Sequence, residues 1–396
     1  MGKSGKYKVV LFEYLMNYLM VDISGKVLNY DIALCEALFK NVSKKDQLKL
    51  FAANIDPSKI ECPSKKMLSL VPKSLQNSRN KIKRSVKILE GIVNYLYLII
   101  YVLFCRVNVL HLQWLPFLEV CSIEKVFLKL IRLVSPKTQI VLTVHNLYPH
   151  NFSDKRKEGY RKRFDEIKNL IDTFILHLEC SKTDFCKQFG VNPNKVKVFH
   201  HGIFAPKNVD IVPHVRGEKL NLIMYGNQSY YKGTDIFVDA LNLLSEDLKQ
   251  KVHATIVGKI DNVFYQELKQ KTDDLDVEWI PEFVPDDVLY KKIMESDAIV
   301  IPYREISQSG VLLLALSFKR MIIVSDLPSF KETLAGFSND MFFENGNAES
   351  LAKAICFYAK QKNDPKSLMK TIDMLIERYA WNNIAKQYKD FLKAAS

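Results

Sequence analysis

The chain has 396 residues, 48% apolar and 26% charged, with 57 Lys/Arg against 44 Asp/Glu for a formal net charge of +13. That length exceeds one ordinary core and fits two domains of roughly 150 to 200 residues, and the composition excludes a disordered, collagen-like or heptad-repeat chain. The seven cysteines (Cys35, Cys62, Cys105, Cys121, Cys180, Cys186, Cys356) form no Cys-x-x-Cys pair, and MGKSGKYKVVLF lacks a signal-peptide core, so a reducing cytoplasm is expected.

In chain order, YKVVLFEYL (7–15) reads as a first buried strand and LNYDIALCEALFKNV (28–42) as the helix after it, with Asp31 in its first turn. KILEGIVNYLYLIIYVLFC (87–105) has an uninterrupted apolar part from Ile92 to Cys105, which falls short of the about 20 residues of a spanning helix. It is expected to pack under the sheet and, led by the basic run RNKIKRSVK (79–87), to rest on an anionic bilayer surface. VNVLHLQWL (107–115) and TQIVLTVHNL (138–147) are two more apolar runs rich in β-branched residues, and KRKEGYRKRF (155–164) is a second basic cluster. Alternating strands and helices predict an α/β domain with a mostly parallel, covered sheet.

HHGIFAPKNVDIVPHVRGEKL (200–220) carries two prolines and two glycines and is expected to be the interdomain linker. Beyond it the alternation repeats. Strand LNLIMYG (220–226), helix 234–245, strand HATIVG (253–258), helix FYQELKQK, strand VEWIPEF (277–283), helix PDDVLYKKIMES, strand AIVIPY (298–303), helix 311–318 and strand MIIVSD (321–326) form a second doubly wound unit. Charge divides the same way. Residues 1–200 hold 33 Lys/Arg against 17 Asp/Glu (+16), leaving 24 against 27 (−3) for 201–396, so the basic surface belongs to the first unit.

Within the second unit, YREISQSGVLLLALSF (303–318) runs from charged and small polar residues straight into an apolar helix, LLLAL being apolar on every face. Such a loop presents free helix N-terminal amides to whatever lies in front, an arrangement that suits a phosphate. Lys232, in the turn YYKG ahead of a helix, is a mobile point charge for the same purpose.

Read together, MYGNQSYYKGTDIFVDAL, HATIVGK and the stretch from VEWIPEF through SFKE resemble the C-terminal domain of GT-B fold glycosyltransferases, especially glycosyltransferase family 4. TVHNLYPH (143–150), KVFHHGIF (197–204) and RYAWNNIAKQYKDFL (378–392) resemble its loop, interdomain and closing-helix segments. The resemblance implies two Rossmann-like domains facing a cleft: an acceptor-binding domain over 1–203, a nucleotide-sugar domain over 204–375, and a helix over 376–396 crossing back to the first. It implies transfer of a hexose from a UDP- or GDP-sugar to a glycan acceptor, expected to be lipid-linked, in cell-surface polysaccharide or glycoconjugate synthesis, with retention of configuration. The enzyme is then cytoplasmic and peripheral at the inner membrane face.

By the same resemblance, Gly226, Asn227, Lys232, Arg304, Glu305, Gln308, Ser309, Gly310 and Glu332 are the donor-binding candidates. His145 and Lys232 are the catalytic ones, and His111, Asn146 and His150 lie on the acceptor side. The usual paired glutamates are absent: Glu305 stands one position from the first, Leu314 occupies the second, and Asn227 replaces a common arginine. The sequence thus matches a Gln-Ser-Gly variant, in which Glu332 is the remaining acid for the ribose. No metal or other cofactor is expected, Asp274-Leu275-Asp276 reading as a solvated turn. The alternative is a non-catalytic GT-B subunit supporting a partner glycosyltransferase. Nucleic-acid binding rests on charge alone and is not expected.

Overall fold

The architecture comes from a computed structural model, which describes residues 16–395 apart from 44, 72–80, 150–152, 207–208, 212–214 and 362–364. The strand expected at 7–15 and His150 lie outside the described residues. The first described strand is Asn17–Asp22 (β1), followed by helix Leu28–Asn41 (α1), strands Gln47–Ala52 (β2) and Ser64–Lys66 (β3), and helix Lys81–Phe104 (α2). Val109–Leu112 (β4), Ile123–Val134 (α3), Gln139–Thr143 (β5), Asp154–Ile167 (α4), Thr173–Leu176 (β6), Glu179–Phe189 (α5) and Val196–Val198 (β7) complete the first lobe. Its strands pair in parallel in the order β3-β2-β1-β4-β5-β6-β7.

The two faces of this sheet are covered differently. Tyr95 of α2, Phe127 of α3, Phe164 of α4 and Phe185 of α5 fill one side. Leu34 and Leu38 of α1 fill the other, together with Ile384, Ala385, Tyr388 and Leu392 of the helix Trp381–Ala395. The C-terminal helix is therefore part of the first lobe's core, and the Tyr30 and Tyr388 hydroxyls meet at 3.3 Å inside it.

The second lobe holds Leu220–Tyr225 (β8), Val252–Val257 (β9), Val277–Ile280 (β10), Ala298–Ile301 (β11), Met321–Ser325 (β12) and Phe342–Phe343 (β13), parallel in the order β10-β9-β8-β11-β12-β13. Helix Thr234–Asn242 (α6) follows β8. Gly233 opens it at φ +73°, and a Cβ there would overlap the Pro302 carbonyl, so only glycine brings the β8 turn this close to the end of β11. In each sheet the strand order reverses at one place, between β1 and β4 and between β8 and β11. Parallel sheets bind ligands outside the carboxyl ends of such strands.

Candidate functional site

The crevice after β8 and β11 gathers most of the residues singled out in the second lobe. Gly226 follows β8 at φ +100° with Asn227 exposed beside it. The buried Gln228 then fixes the loop, donating to the carbonyls of Gly226 (2.7 Å) and Val257 (3.0 Å) and accepting from Thr234 (2.7 Å). This clamp brings Lys232 inward, where only 9% of it is exposed. Its Nζ donates to the Tyr303 hydroxyl at 2.6 Å and lies 4.0 Å from the centre of that ring. Among the described residues no carboxylate pairs with it, and burial pulls its pKa down to about 8. A buried ammonium without a counter-ion is costly, and an anion entering the crevice relieves that cost.

Tyr303 joins this lysine to the polar loop 303–310, because its hydroxyl also interacts with the Ser309 side chain. Ser309 caps the helix Gly310–Ser317, its Oγ accepting from the Leu312 amide at 3.1 Å while its carbonyl accepts from Leu313. The Gly310 and Val311 amides have no protein acceptor among the described residues, as the geometry of a helix start requires. A Cβ at Gly310 would meet nothing within 4 Å, so the space before these amides is open. The Gln308 Oε1 atom is buried without a partner at the same edge. Leu312, Leu313, Ala315 and Leu316 are buried, but Leu314 is only half-buried, so this helix is less enclosed than its LLLAL run implies.

Two candidates are engaged elsewhere. Arg304 does not offer its guanidinium to the crevice: it grips Asp235 through two bonds of 2.8 and 2.7 Å, donates to the Tyr230 carbonyl and stacks on the Tyr230 ring. A bidentate carboxylate in the first turn of α6 satisfies the fork more completely than an open loop does. Glu332 reaches across to the first lobe, accepting from the Glu179 and Cys180 amides at 2.7 and 2.9 Å. Its carboxylate thus sits on the positive N-terminal end of α5 instead of pointing at a ribose. Glu305 is exposed. Asp276, the second acid of Asp274-Leu275-Asp276, is held by Lys219 (2.8 Å) and His253 (2.9 Å).

On the first lobe, His111 is fully buried within β4, bonded to Tyr18 and Thr143, with its pKa lowered to about 3 by burial; it is a core residue and does not face the cleft. His145 follows β5 and is half-buried. Its Nε2 donates to the Gln113 Oε1 atom at 3.2 Å and its Nδ1 meets His177 Nε2 at 3.4 Å. His177 Nδ1 in turn donates to the Phe199 carbonyl at 2.9 Å. Burial, with His177 and His201 nearby, holds His145 well below its ordinary pKa, so it is uncharged at neutral pH. Next to it, Asn146 accepts from Ser307 of the opposite lobe at 3.1 Å.

His177, Gln113 and Tyr303 are absent from the sequence-based candidates. The signal for His177 is present, since β4, β5 and β6 each carry a histidine within or just past their carboxyl end (VLHL, LTVH, FILH).

Residues 219–361, which span the whole crevice after β8 and β11, match the family model Glycosyl transferases group 1. That match covers the second lobe alone, and the chain as a whole has the GT-B fold. A glycosyltransferase from Rickettsia africae ESF-5 superimposes with a TM-score of 0.67 at 18% identity, over 96% of this chain and 98% of that one. Anabaena Alr3699/HepE, solved with UDP and glucose, gives 0.64 at 14% identity over 96% and 100%. In sequence, a GDP-mannose:glycolipid 4-beta-D-mannosyltransferase of Xanthomonas campestris pv. campestris is 23% identical over 233 residues, 56% of this chain and 62% of the relative's length. In this GT-B frame, Lys232, Tyr303, Ser309 and Gly310 occupy one lobe, His145 and Asn146 the other, and the Ser307–Asn146 bond joins the two.

Proposed function

We propose that the protein is a glycosyltransferase that moves a hexose from a UDP- or GDP-sugar to a glycolipid acceptor. The observation that carries this reading is the buried, carboxylate-free Lys232 linked through Tyr303 to the capped N-terminus of the helix Gly310–Ser317. When the bond from the sugar to the diphosphate breaks, negative charge grows on the leaving oxygens. An ammonium and oriented backbone amides stabilise that charge more than they stabilise the bound donor, which is what lowers a barrier.

On the acceptor side, uncharged His145 and the Asn146 amide are suited to orient a sugar hydroxyl. A glycolipid acceptor is supported by the Xanthomonas relative, whose name gives one, and a nucleotide donor by the UDP complex of the Anabaena neighbour. Retention of configuration is the finer part of the proposal, with the departing phosphate taking the acceptor's proton. No bound metal is assigned to the reaction.

The test is transfer from a panel of UDP- and GDP-sugars to lipid extracts of the native membrane, followed by NMR of the product's anomeric proton. A donor-specific glycolipid product supports the reading, and an inverted anomeric centre would replace retention by direct displacement. Nucleotide-sugar binding without transfer to any acceptor would favour the non-catalytic subunit.

A further inference from the structure

We infer that the outward faces of α2 and α3 form a single platform that lies in the plane of an anionic membrane. Ser85–Phe104 is long and apolar enough to cross a bilayer by length and composition, but its two sides are committed differently. On the inward side Tyr95 stacks on Phe127 at 4.3 Å, Glu90 accepts from the Val71 amide at 2.7 Å, and Asn94 bonds both backbone groups of Leu68. Removing the helix from the lobe would strip the 68–71 segment of these partners, so α2 is a fixed wall of the domain.

Among the described residues the outward side has no partner. Leu89, Val93, Leu96, Ile100 and Leu103 recur at spacings of four and three residues, one stripe of the helix, and are 39% to 57% exposed. Phe104 ends the stripe at 80%. On α3, packed beside α2 on the same sheet face, Val126, Leu130 and Leu133 repeat the spacing and are also exposed. Two adjacent helices with exposed apolar stripes exceed the scattered exposed apolar residues of an ordinary soluble surface.

Charge selects the occupant. Residues 81–137 hold nine Lys/Arg against three Asp/Glu. Two of those acids, Glu90 and Glu124, are buried, and the third, Glu119, is paired with Lys26. Between Ile88 and Phe104 no charge reaches the surface, while Arg106 and Lys129 are exposed at its border. An apolar stripe rimmed by cations fits acyl chains below anionic headgroups; a second copy of the same face would set cation against cation.

The experiment is flotation of the full chain with vesicles of phosphatidylethanolamine and phosphatidylglycerol, and with neutral phosphatidylcholine, in the absence of any sugar donor. The same is done for the double variant Leu96→Glu/Ile100→Glu, for Leu133→Glu, and for a control at an exposed leucine of the other lobe, Leu243→Glu. All four positions are on the surface, and circular dichroism checks that the variants fold. Binding to the anionic vesicles that falls roughly tenfold or more in the double variant, falls with Leu133→Glu and persists in the control supports the platform. Equal binding by wild type and double variant overturns it, as does a wild-type dimer in light scattering that the double variant dissociates without change in flotation. Leu96→Trp gives a second readout: its emission shifts to the blue and is quenched by brominated lipid if the face is inserted, and the absence of both overturns the inference. None of these depends on sugar transfer, so failure here leaves the proposed reaction standing.

Discussion

The Lys232 ammonium donates to the Tyr303 hydroxyl at 2.6 Å, while the next residue after Tyr303, Arg304, turns away to Asp235. One cation is thus spent on holding the loop and the other is left in the crevice. Replacing Lys232 by Met should therefore lower kcat by about 10²–10³-fold, the usual cost of one lost donor to a developing oxyanion. Arg304→Met should act mainly on the stability of the loop. Steady-state kinetics beside denaturant unfolding separates the two, and a Lys232→Met enzyme with normal turnover would remove the lysine from the reaction.

Donor affinity should depend on pH through the same group. Burial lowers the Lys232 pKa to about 8 in the free protein, and a bound diphosphate favours the charged form, so binding takes up a proton above that pH. Affinity for UDP or GDP should be flat below pH 8 and weaken by about tenfold per unit above it. In Lys232→Met the decline should vanish.

Gly310→Val tests the open space before the helix. A Cβ there meets no protein atom, so the domain should lose less than about 1 kcal/mol of stability, while the branched side chain crowds the phosphate position. Nucleotide titration with a much raised Kd and a nearly unchanged unfolding midpoint is the expected pair of results. Normal affinity would take the phosphate away from these amides.

The histidine cluster should make the first lobe sensitive to acid. Burial lowers His177 to about 3 and His201 to about 4 from an ordinary 6.5, and His145 moves the same way. Between pH 6.5 and those values the unfolded chain binds more protons than the folded one, so stability is fully present above pH 6.5 and is lost as pH falls below it. Thermal unfolding followed from pH 7.5 to 5 should show a falling Tm, with a shallower slope in His177→Phe. Identical slopes would mean that His177 takes up its proton alike in the folded and unfolded states.

Much of the second lobe is legible in the sequence because its strands are buried on both faces and read as unbroken apolar runs, as in LNLIMY and AIVI. Lys232, Ser309 and Gly310 are legible for a different reason: a turn and a cap have local chemistry. The strands SKK and VKV are too short and polar to carry a period. Arg304, Glu332 and His111 are misread because their partners, Asp235, the amides of α5, and Tyr18 with Thr143, are distant in sequence. A charged residue beside a motif looks available until the fold supplies its counter-ion.

The central claim, that this crevice binds the diphosphate of a sugar nucleotide, is tested most directly by isothermal titration of UDP and GDP into the wild-type protein and Lys232→Met at pH 7. Saturable one-to-one binding of at least one nucleotide, weakened by roughly tenfold or more in the variant, is the predicted result. Binding of neither nucleotide by wild type, or equal binding by both proteins, would contradict it.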